Sequence, residues 1–177
     1  MTVVFYPEAT AQIFANTDQY ASEIAWVGLV KKSRAYVDLY QVNKVLVYPQ
    51  ENTAVTSDSS EDYAKWMIDH ADDIGRMKMS GHSHVNMSVF PSMTDIRTWG
   101  ELLKRVDDFY LYQIVNKRRE MFVMLIEKGN MTRVWARKQV VADHGPIIMY
   151  LDEIGLESEE TYGFEQIAGM VRSIAAA

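Results

Sequence analysis

Short apolar runs predict strands over much of the chain. Residues Glu23 to Val30 and Ala35 to Tyr48 are rich in Val, Leu, Ile, Tyr and Trp, which is typical of strands. Met77 to Ser80 predicts a short buried strand that leads into Gly81. The same composition returns later and predicts three more strands, over Phe109 to Val115, Met121 to Ile126 and Met131 to Val141.

Apolar residues at helical spacing predict helices between these strands. The segment from about Ser60 to Asp73 carries such a pattern, and a first helix is expected after Pro7. Ser92 to Asp95 has the form of a capping box, which marks a helix start. Apolar positions continue that helix at Ile96, Trp99, Leu102, Leu103 and Val106. Strands and helices mix without strict alternation, so we expect an α+β fold with a mixed central β-sheet flanked by helices.

The length predicts one domain. A chain of 177 residues can bury a core of its own, so we expect a single domain over residues 1–177. The polar stretch from Gln50 to Ser60 predicts an insertion loop. The tail from Ser158 to Ile174, with Glu159 and Glu160 near its start, predicts a C-terminal helix.

Charge and composition exclude several classes of function. The chain has 24 acidic and 18 basic residues, whereas nucleic-acid binding needs clustered basic residues, so no nucleic-acid partner is expected. No apolar run approaches the roughly 18 residues of a membrane span, and we expect a soluble, intracellular protein. With no cysteine, a transition metal must be bound by His, Asp and Glu. The composition leaves the oligomeric state open.

Two histidines provide the strongest chemical signal. His82 and His84 are one residue apart, so in extended backbone their side chains point to the same side and can bind one ion. Asp95, at the start of the next helix, can supply a carboxylate oxygen as the third ligand. Three protein ligands leave the fourth tetrahedral position for water, as in catalytic zinc sites. The pattern therefore predicts a catalytic zinc ion.

The window resembles the signature of the JAMM zinc metalloproteases, also called the MPN-plus or JAB-domain family. That signature is His-x-His, seven residues, then Ser-x-x-Asp, and its fixed places are filled by His82, His84, Ser92 and Asp95. The family also has an upstream glutamate in the pattern Glu-x-x-x-x-Gly, which Glu23 to Gly28 resembles. Many relatives carry proline after the second histidine, where this chain has Val85.

The resemblance implies a fold, a reaction and residue roles. It implies the cytidine-deaminase-like fold of the family and a Zn²⁺ ion bound by His82, His84 and Asp95. Glu23 would take a proton from the attacking water and pass it to the leaving amine, while Ser92 would donate a hydrogen bond to the oxyanion. Relatives cleave peptide or isopeptide bonds at the C-terminus of ubiquitin-like proteins, and prokaryotic and phage members process small ubiquitin-like proteins or tail components. The expected partner is such a protein or peptide substrate.

Other interpretations stay open at this point. One is a non-catalytic protein-interaction scaffold with the same fold. Another is a metal-dependent hydrolase of unrelated fold, although zinc deaminases need cysteine ligands and an amidohydrolase barrel needs about 250 residues. Glu8 and Glu51 compete with Glu23 for the role of base, and we assign no role to His70 or His144.

Overall fold

The computed structural model describes residues 1–50, 61–128, 132–142 and 144–154. The protein is a mixed α+β fold built on one sheet. Its strands are β1 (Thr2–Phe5), β2 (Ala25–Lys32), β3 (Leu39–Leu46), β4 (Met77–Ser83), β5 (Phe109–Val115), β6 (Glu120–Glu127), β7 (Arg133–Val140), β8 (Ile147–Tyr150) and β9 (Asp152–Glu153). The helices are α1 (Pro7–Gln19), α2 (Glu61–Asp69) and α3 (Met93–Leu103), and a 3-10 helix covers Ala71–Arg76.

The nine strands form a mixed sheet that nearly closes on itself. Their order is β8, β1, β3, β2, β4, β5, β6, β7, β9, with parallel pairs β1–β3 and β4–β5 and antiparallel pairs elsewhere. Only Leu151 separates β8 from β9, so one extended segment pairs with β1 at one edge and with β7 at the other. The Leu151 N–H donates to the Met1 carbonyl at 2.7 Å. This segment joins the two edges of the sheet.

Two apolar clusters lie on opposite faces of the sheet. Helix α1 packs into the first cluster, which includes Val3, Phe5, Ile13, Trp26, Tyr40, Met79 and Leu111. Helix α3 packs on the other face of β5 to β7 through the second cluster, which includes Ile96, Trp99, Tyr112, Ile114, Phe122 and Met124. Strand β6 contributes to both clusters, which explains its continuous apolar sequence.

Alternation along β4 places the histidines on the α3 side. Met79, Gly81 and Ser83 are the buried positions of this strand on the face of the first cluster. His82 pairs with Ile114 across β4 and β5, and Ile114 belongs to the cluster under α3. Because paired residues point to the same side, His82 faces the layer that contains α3. The N-terminus of that helix carries Asp95.

The sequence predicted the positions of most elements but not all of their ends. The strand expected over Ala35 to Tyr48 begins only at Leu39, since residues 33–38 form a turn in which Asp38 has φ 68°. The helix expected to reach Asp73 ends at Asp69 and is followed by the 3-10 helix. The strand expected to end at Ser80 continues through the first histidine to Ser83.

Some predictions concern parts of the chain that lie outside the described residues. These are the insertion loop, of which only Gln50 is described, and the C-terminal helix over 158–174. Strands β1, β8 and β9 are described but were not predicted from the sequence. None of the helices in the described ranges is long and apolar enough to cross a membrane.

Candidate metal centre

Three predicted metal ligands meet at the end of β4. The candidate ligand atoms of His82, His84 and Asp95 all lie within 4.8 Å of one another. The two imidazole rings are 4.9 Å apart between centroids. His82 lies within β4 and His84 directly follows it, so extended backbone directs both rings to one side, as the sequence predicted.

The capping box of α3 directs Asp95 toward the histidines. The Ser92 N–H donates to Asp95 Oδ2 at 2.6 Å, and the Asp95 N–H donates to Ser92 Oγ at 3.1 Å. Both bonds of the predicted capping box are therefore present. They fix the carboxylate at the first turn of the helix, so that Asp95 caps the helix and also faces both histidines.

The distances within this group suit a tetrahedral ion. Asp95 Oδ1 lies 3.0 Å from His82 Nε2, and Asp95 Oδ2 lies 3.6 Å from His84 Nε2. Zinc with ligand bonds of about 2.0–2.2 Å places neighbouring ligand atoms about 3.3–3.6 Å apart. The longer separation lies at the upper end of that range and the shorter one lies just below it. The side-chain exposures are 19%, 6% and 13% for His82, His84 and Asp95. Two imidazoles and one carboxylate form a donor set that zinc accepts.

Charge interactions shift the pKa values of two of these groups. Burial alone would lower the pKa of His84, but contact with Asp95, the bond to the Ser88 carbonyl and the charges of Asp95 and Glu23 outweigh it and raise the pKa. Burial alone would raise the pKa of Asp95, but contacts with both histidines and Ser92 hold it well below its usual range. Asp95 is therefore ionised, and protons compete with a metal ion for His84.

The predicted base, Glu23, lies next to a residue that is bound to the histidine segment. The Ser83 N–H donates to the Ile24 carbonyl at 2.9 Å, and the Ile24 N–H donates to Ser83 Oγ at 3.1 Å. Two hydrogen bonds thus join Ile24, the residue after Glu23, to Ser83, the residue between the two histidines. Glu23 is half-buried, and its charge acts on His84. The bond between Ile24 and Ser83 joins residues 59 positions apart and holds the segment that carries Glu23 against the end of β4.

Gly28, the last residue of the upstream pattern, has a packing reason to be glycine. It pairs with Met79 across β2 and β4. A Cβ atom at this position would lie 2.9 Å from Met79 Cβ, closer than side chains pack. The glycine therefore allows β2 to approach β4 closely, and β2 begins two residues after Glu23.

The loop after the second histidine differs from the pattern of the family. The Met87 N–H donates to the His84 carbonyl at 2.7 Å, which closes a turn, and Val85 within it has φ 46°. A β-branched residue in this left-handed region costs about 1–3 kcal/mol. Proline, whose ring fixes φ near −65°, does not fit this turn. Its absence at position 85 is therefore consistent with the loop observed.

Ser92 is exposed at the N-terminus of α3. Its Oγ atom accepts the Asp95 N–H, and this bond does not use the hydroxyl proton. A hydroxyl can donate while it accepts, so capping α3 leaves Ser92 able to donate to a substrate oxygen. The helix-capping and oxyanion-binding interpretations of Ser92 are therefore compatible.

The described part of the chain does not group His70, His144 or Glu8 with the three candidate ligands. His70 stacks on Trp66 at 4.4 Å between ring centroids, and its Nδ1 lies 2.9 Å from the Trp66 carbonyl oxygen. His144 is exposed in the connection between β7 and β8. Glu8 is exposed in the first turn of α1, and Glu51 lies outside the described residues.

Sequence reasoning missed two residues that support the site. Ser83 lies inside the motif, and strand alternation could have shown that it points away from both histidines. Asn116 lies in the turn between β5 and β6 and was not predicted as a site residue, yet it is fully buried and donates to the Met87 carbonyl in the loop after His84. Its turn composition gave no signal for this contact, which joins residues 29 positions apart.

Comparisons with known proteins leave the family open. No family model and no curated protein matches the chain. Among solved structures, it is similar to a Desulfitobacterium hafniense protein determined in solution as a structural genomics target. That likeness has a TM-score of 0.44 and 16% identity, over 85% of this chain and 88% of the other. The N-terminal domain of STIL from Trichoplax adhaerens is similar with a TM-score of 0.41 and 6% identity, over 76% of this chain and 44% of the other.

Proposed function

We propose that this protein is a zinc-dependent hydrolase of the JAMM type that cleaves peptide or isopeptide bonds. The observation that carries the proposal is the convergence of His82, His84 and Asp95 within 4.8 Å at the end of β4. The sequence spacing that resembles the JAMM signature predicted these same three ligands. Glu23, half-buried two residues before β2 and acting electrostatically on His84, supports the proposal.

The donor set supports a catalytic metal rather than a structural one. Closed structural zinc sites use four protein ligands, whereas catalytic sites use three. When bound here, zinc would lower the pKa of a water molecule to about 7 and polarise a substrate carbonyl. The side chains of this chain would then supply proton transfer and hydrogen bonding.

Glu23 and Ser92 fit the two remaining roles. Glu23 is a carboxylate whose charge acts on His84, and we propose that it takes a proton from the attacking water and transfers it to the leaving amine. Ser92 can donate its hydroxyl proton to the oxygen on which negative charge develops. Peptide hydrolysis needs both functions, since an amine leaves poorly unless it is protonated.

The proposed substrate is a protein chain with an accessible amide bond. By resemblance to the family, we propose the C-terminus of a ubiquitin-like protein, or a phage tail component, as the natural substrate. Met87 is 58% exposed next to the site, and an apolar side chain there can contact a substrate chain. We propose that this mixed α+β sheet is a variant of the JAMM fold.

Replacing Glu23 by glutamine should separate catalysis from metal binding. Glutamine keeps the size of the side chain but cannot accept the proton, so we expect kcat/KM to fall about 10²–10⁴-fold while zinc affinity stays close to native. The measurement compares zinc-loaded native and E23Q proteins on two substrates. One is a peptide amide with a fluorogenic leaving amine, and the other is a ubiquitin-like protein joined to a lysine side chain.

The matched control for this experiment is Glu8→Gln. Glu8 is exposed on α1, so its replacement should leave both activity and zinc affinity unchanged. Hydrolysis by E23Q at the native rate would show that Glu23 is not the base. A zinc-loaded native protein that cleaves neither substrate would contradict the hydrolase and favour the protein-interaction scaffold.

A further inference from the structure

Asn116 is a buried polar residue directly beneath the loop that follows His84. It is 0% exposed in the turn between β5 and β6. Its Oδ1 atom accepts the N–H groups of Arg118 and Glu120 at 3.0 and 3.1 Å, which shapes the turn. Its Nδ2 group donates to the Met87 carbonyl at 2.8 Å and to Glu120 Oε2 at 2.5 Å. One amide therefore serves both the turn and the loop of the candidate site.

Three consecutive residues, the last of β5 and the first two of the turn, hold the loop. The His84 N–H donates to the Val115 carbonyl at 2.8 Å, and the Lys117 N–H donates to the Val85 carbonyl at 2.7 Å. These two bonds use backbone groups, so nearly any residue type at 115 and 117 could make them. The bond to the Met87 carbonyl comes from the Asn116 side chain and depends on the identity of that residue.

The peptide that follows Met87 determines the orientation of His84. Ser88 follows Met87 in the chain, and the Ser88 carbonyl oxygen lies 2.7 Å from His84 Nδ1. A ring nitrogen bonded to a carbonyl must carry the proton, which leaves the other nitrogen, Nε2, to face Asp95. The Asn116 side chain fixes the Met87 carbonyl. Because Ser88 is the next residue, this also fixes the Ser88 carbonyl, which orients the imidazole ring of His84.

We propose that Asn116 is a positioning residue for the metal centre. By fixing the Met87 carbonyl, it holds the Ser88 carbonyl against His84 Nδ1 and so presents His84 Nε2 to the ion. The inference rests on the proposed metal site, and it adds to that site a residue far outside the motif. Partners of this outer kind typically change metal affinity about 10–100-fold.

The test measures zinc affinity and the visible absorption of the Co²⁺-loaded protein in native and Asn116→Ala chains. We expect N116A to bind zinc about 10–100-fold more weakly, with a changed Co²⁺ spectrum because His84 is no longer held in one orientation. Asn116→Asp is the second variant. It keeps the acceptor that shapes the turn but lacks the donor to Met87, so we expect weaker binding despite the added negative charge.

Two controls separate positioning from general destabilisation. Glu120→Ala removes the other acceptor of Asn116 Nδ2 and leaves the Met87 bond, so zinc affinity and spectrum should stay native. Val45→Ala weakens the first apolar cluster, away from the loop, and should also leave both unchanged. Native affinity in N116A and N116D, or an equal loss in E120A, would overturn the inference. If the native chain itself binds no zinc, the proposed metal site fails first.

Discussion

Substitution of Asp95 by alanine is expected to weaken zinc binding by at least about a hundredfold. Asp95 faces His82 Nε2 at 3.0 Å and His84 Nε2 at 3.6 Å, so its loss removes one of three ligands and the only carboxylate in the cluster of described residues. Replacement of partners outside the ligand shell costs about 10–100-fold, and loss of a ligand should cost more. A competition titration against a chromophoric chelator measures the change.

The matched control is Ser92→Ala, because Asp95 has two roles. Asp95 caps α3 as well as facing the histidines, so D95A also removes one half of the capping box. S92A removes the other half and leaves the carboxylate, and loss of a cap costs about 0.5–2 kcal/mol of stability. We expect S92A to bind zinc within a few fold of native. Equal losses of affinity in the two variants would mean that Asp95 acts only as a helix cap.

Replacing Gly81 by alanine is expected to destabilise the fold by about 2–6 kcal/mol. The residue lies in β4 directly before His82, opposite Trp26 and Gln113 of the neighbouring strands. An added Cβ would lie 2.8 Å from Trp26 Cε2 and 2.9 Å from Gln113 Oε1, and closer still to Trp26 Nε1. Overpacking a core costs about 1–3 kcal/mol, and unpairing a buried polar group adds about 1–3 kcal/mol.

The buried pair that Gly81 accommodates makes this effect large. Trp26 Nε1 donates to Gln113 Oε1 at 3.0 Å, and both residues are buried. The indole and the amide meet above the glycine, so a side chain there must separate them. Denaturant unfolding of G81A beside Gly75→Ala measures the effect, since an added Cβ at Gly75 meets nothing within 4 Å. We expect G75A to change stability by less than about 1 kcal/mol. Similar stabilities for G81A and the native chain would refute this packing.

Local patterns predicted the elements that position the site. The capping box gave the start of α3, and both of its hydrogen bonds are present. The continuous apolar run of Met121 to Ile126 gave β6, which is buried on both faces. The strand that was expected to end at Ser80 in fact continues to Ser83. Glycine in a strand interior usually weakens the strand. Here the missing side chain makes room for Trp26, so β4 continues.

The closure of the sheet could not be predicted in this way. Strands β1 and β8 have four residues each and β9 has two, too few to show a period. The pairing of β1 with β8 joins the first and last described segments of the chain, and it depends on contacts between residues about 150 positions apart. Such contacts leave no local pattern in one sequence.

Some residues of the candidate site could be predicted from local spacing, whereas others depend on contacts between distant parts of the chain. His82, His84, Ser92 and Asp95 lie within one window of 14 residues, so their spacing alone predicted that they meet. Glu23 was predicted only through the family resemblance. Its position relative to the end of β4 depends on the pairing of β2 with β4. Asn116 has no motif at all, because its role depends on a hairpin turn packing beneath a loop.

Zinc content decides whether the metal centre exists. Native protein purified without added zinc should contain about one zinc per chain by mass spectrometry, as expected for three ligands around one ion. The His84→Ala variant, prepared in parallel, should contain essentially none. A native chain that carries no zinc and takes up none on titration would contradict the hydrolase, and Asp95 would then act only in capping α3.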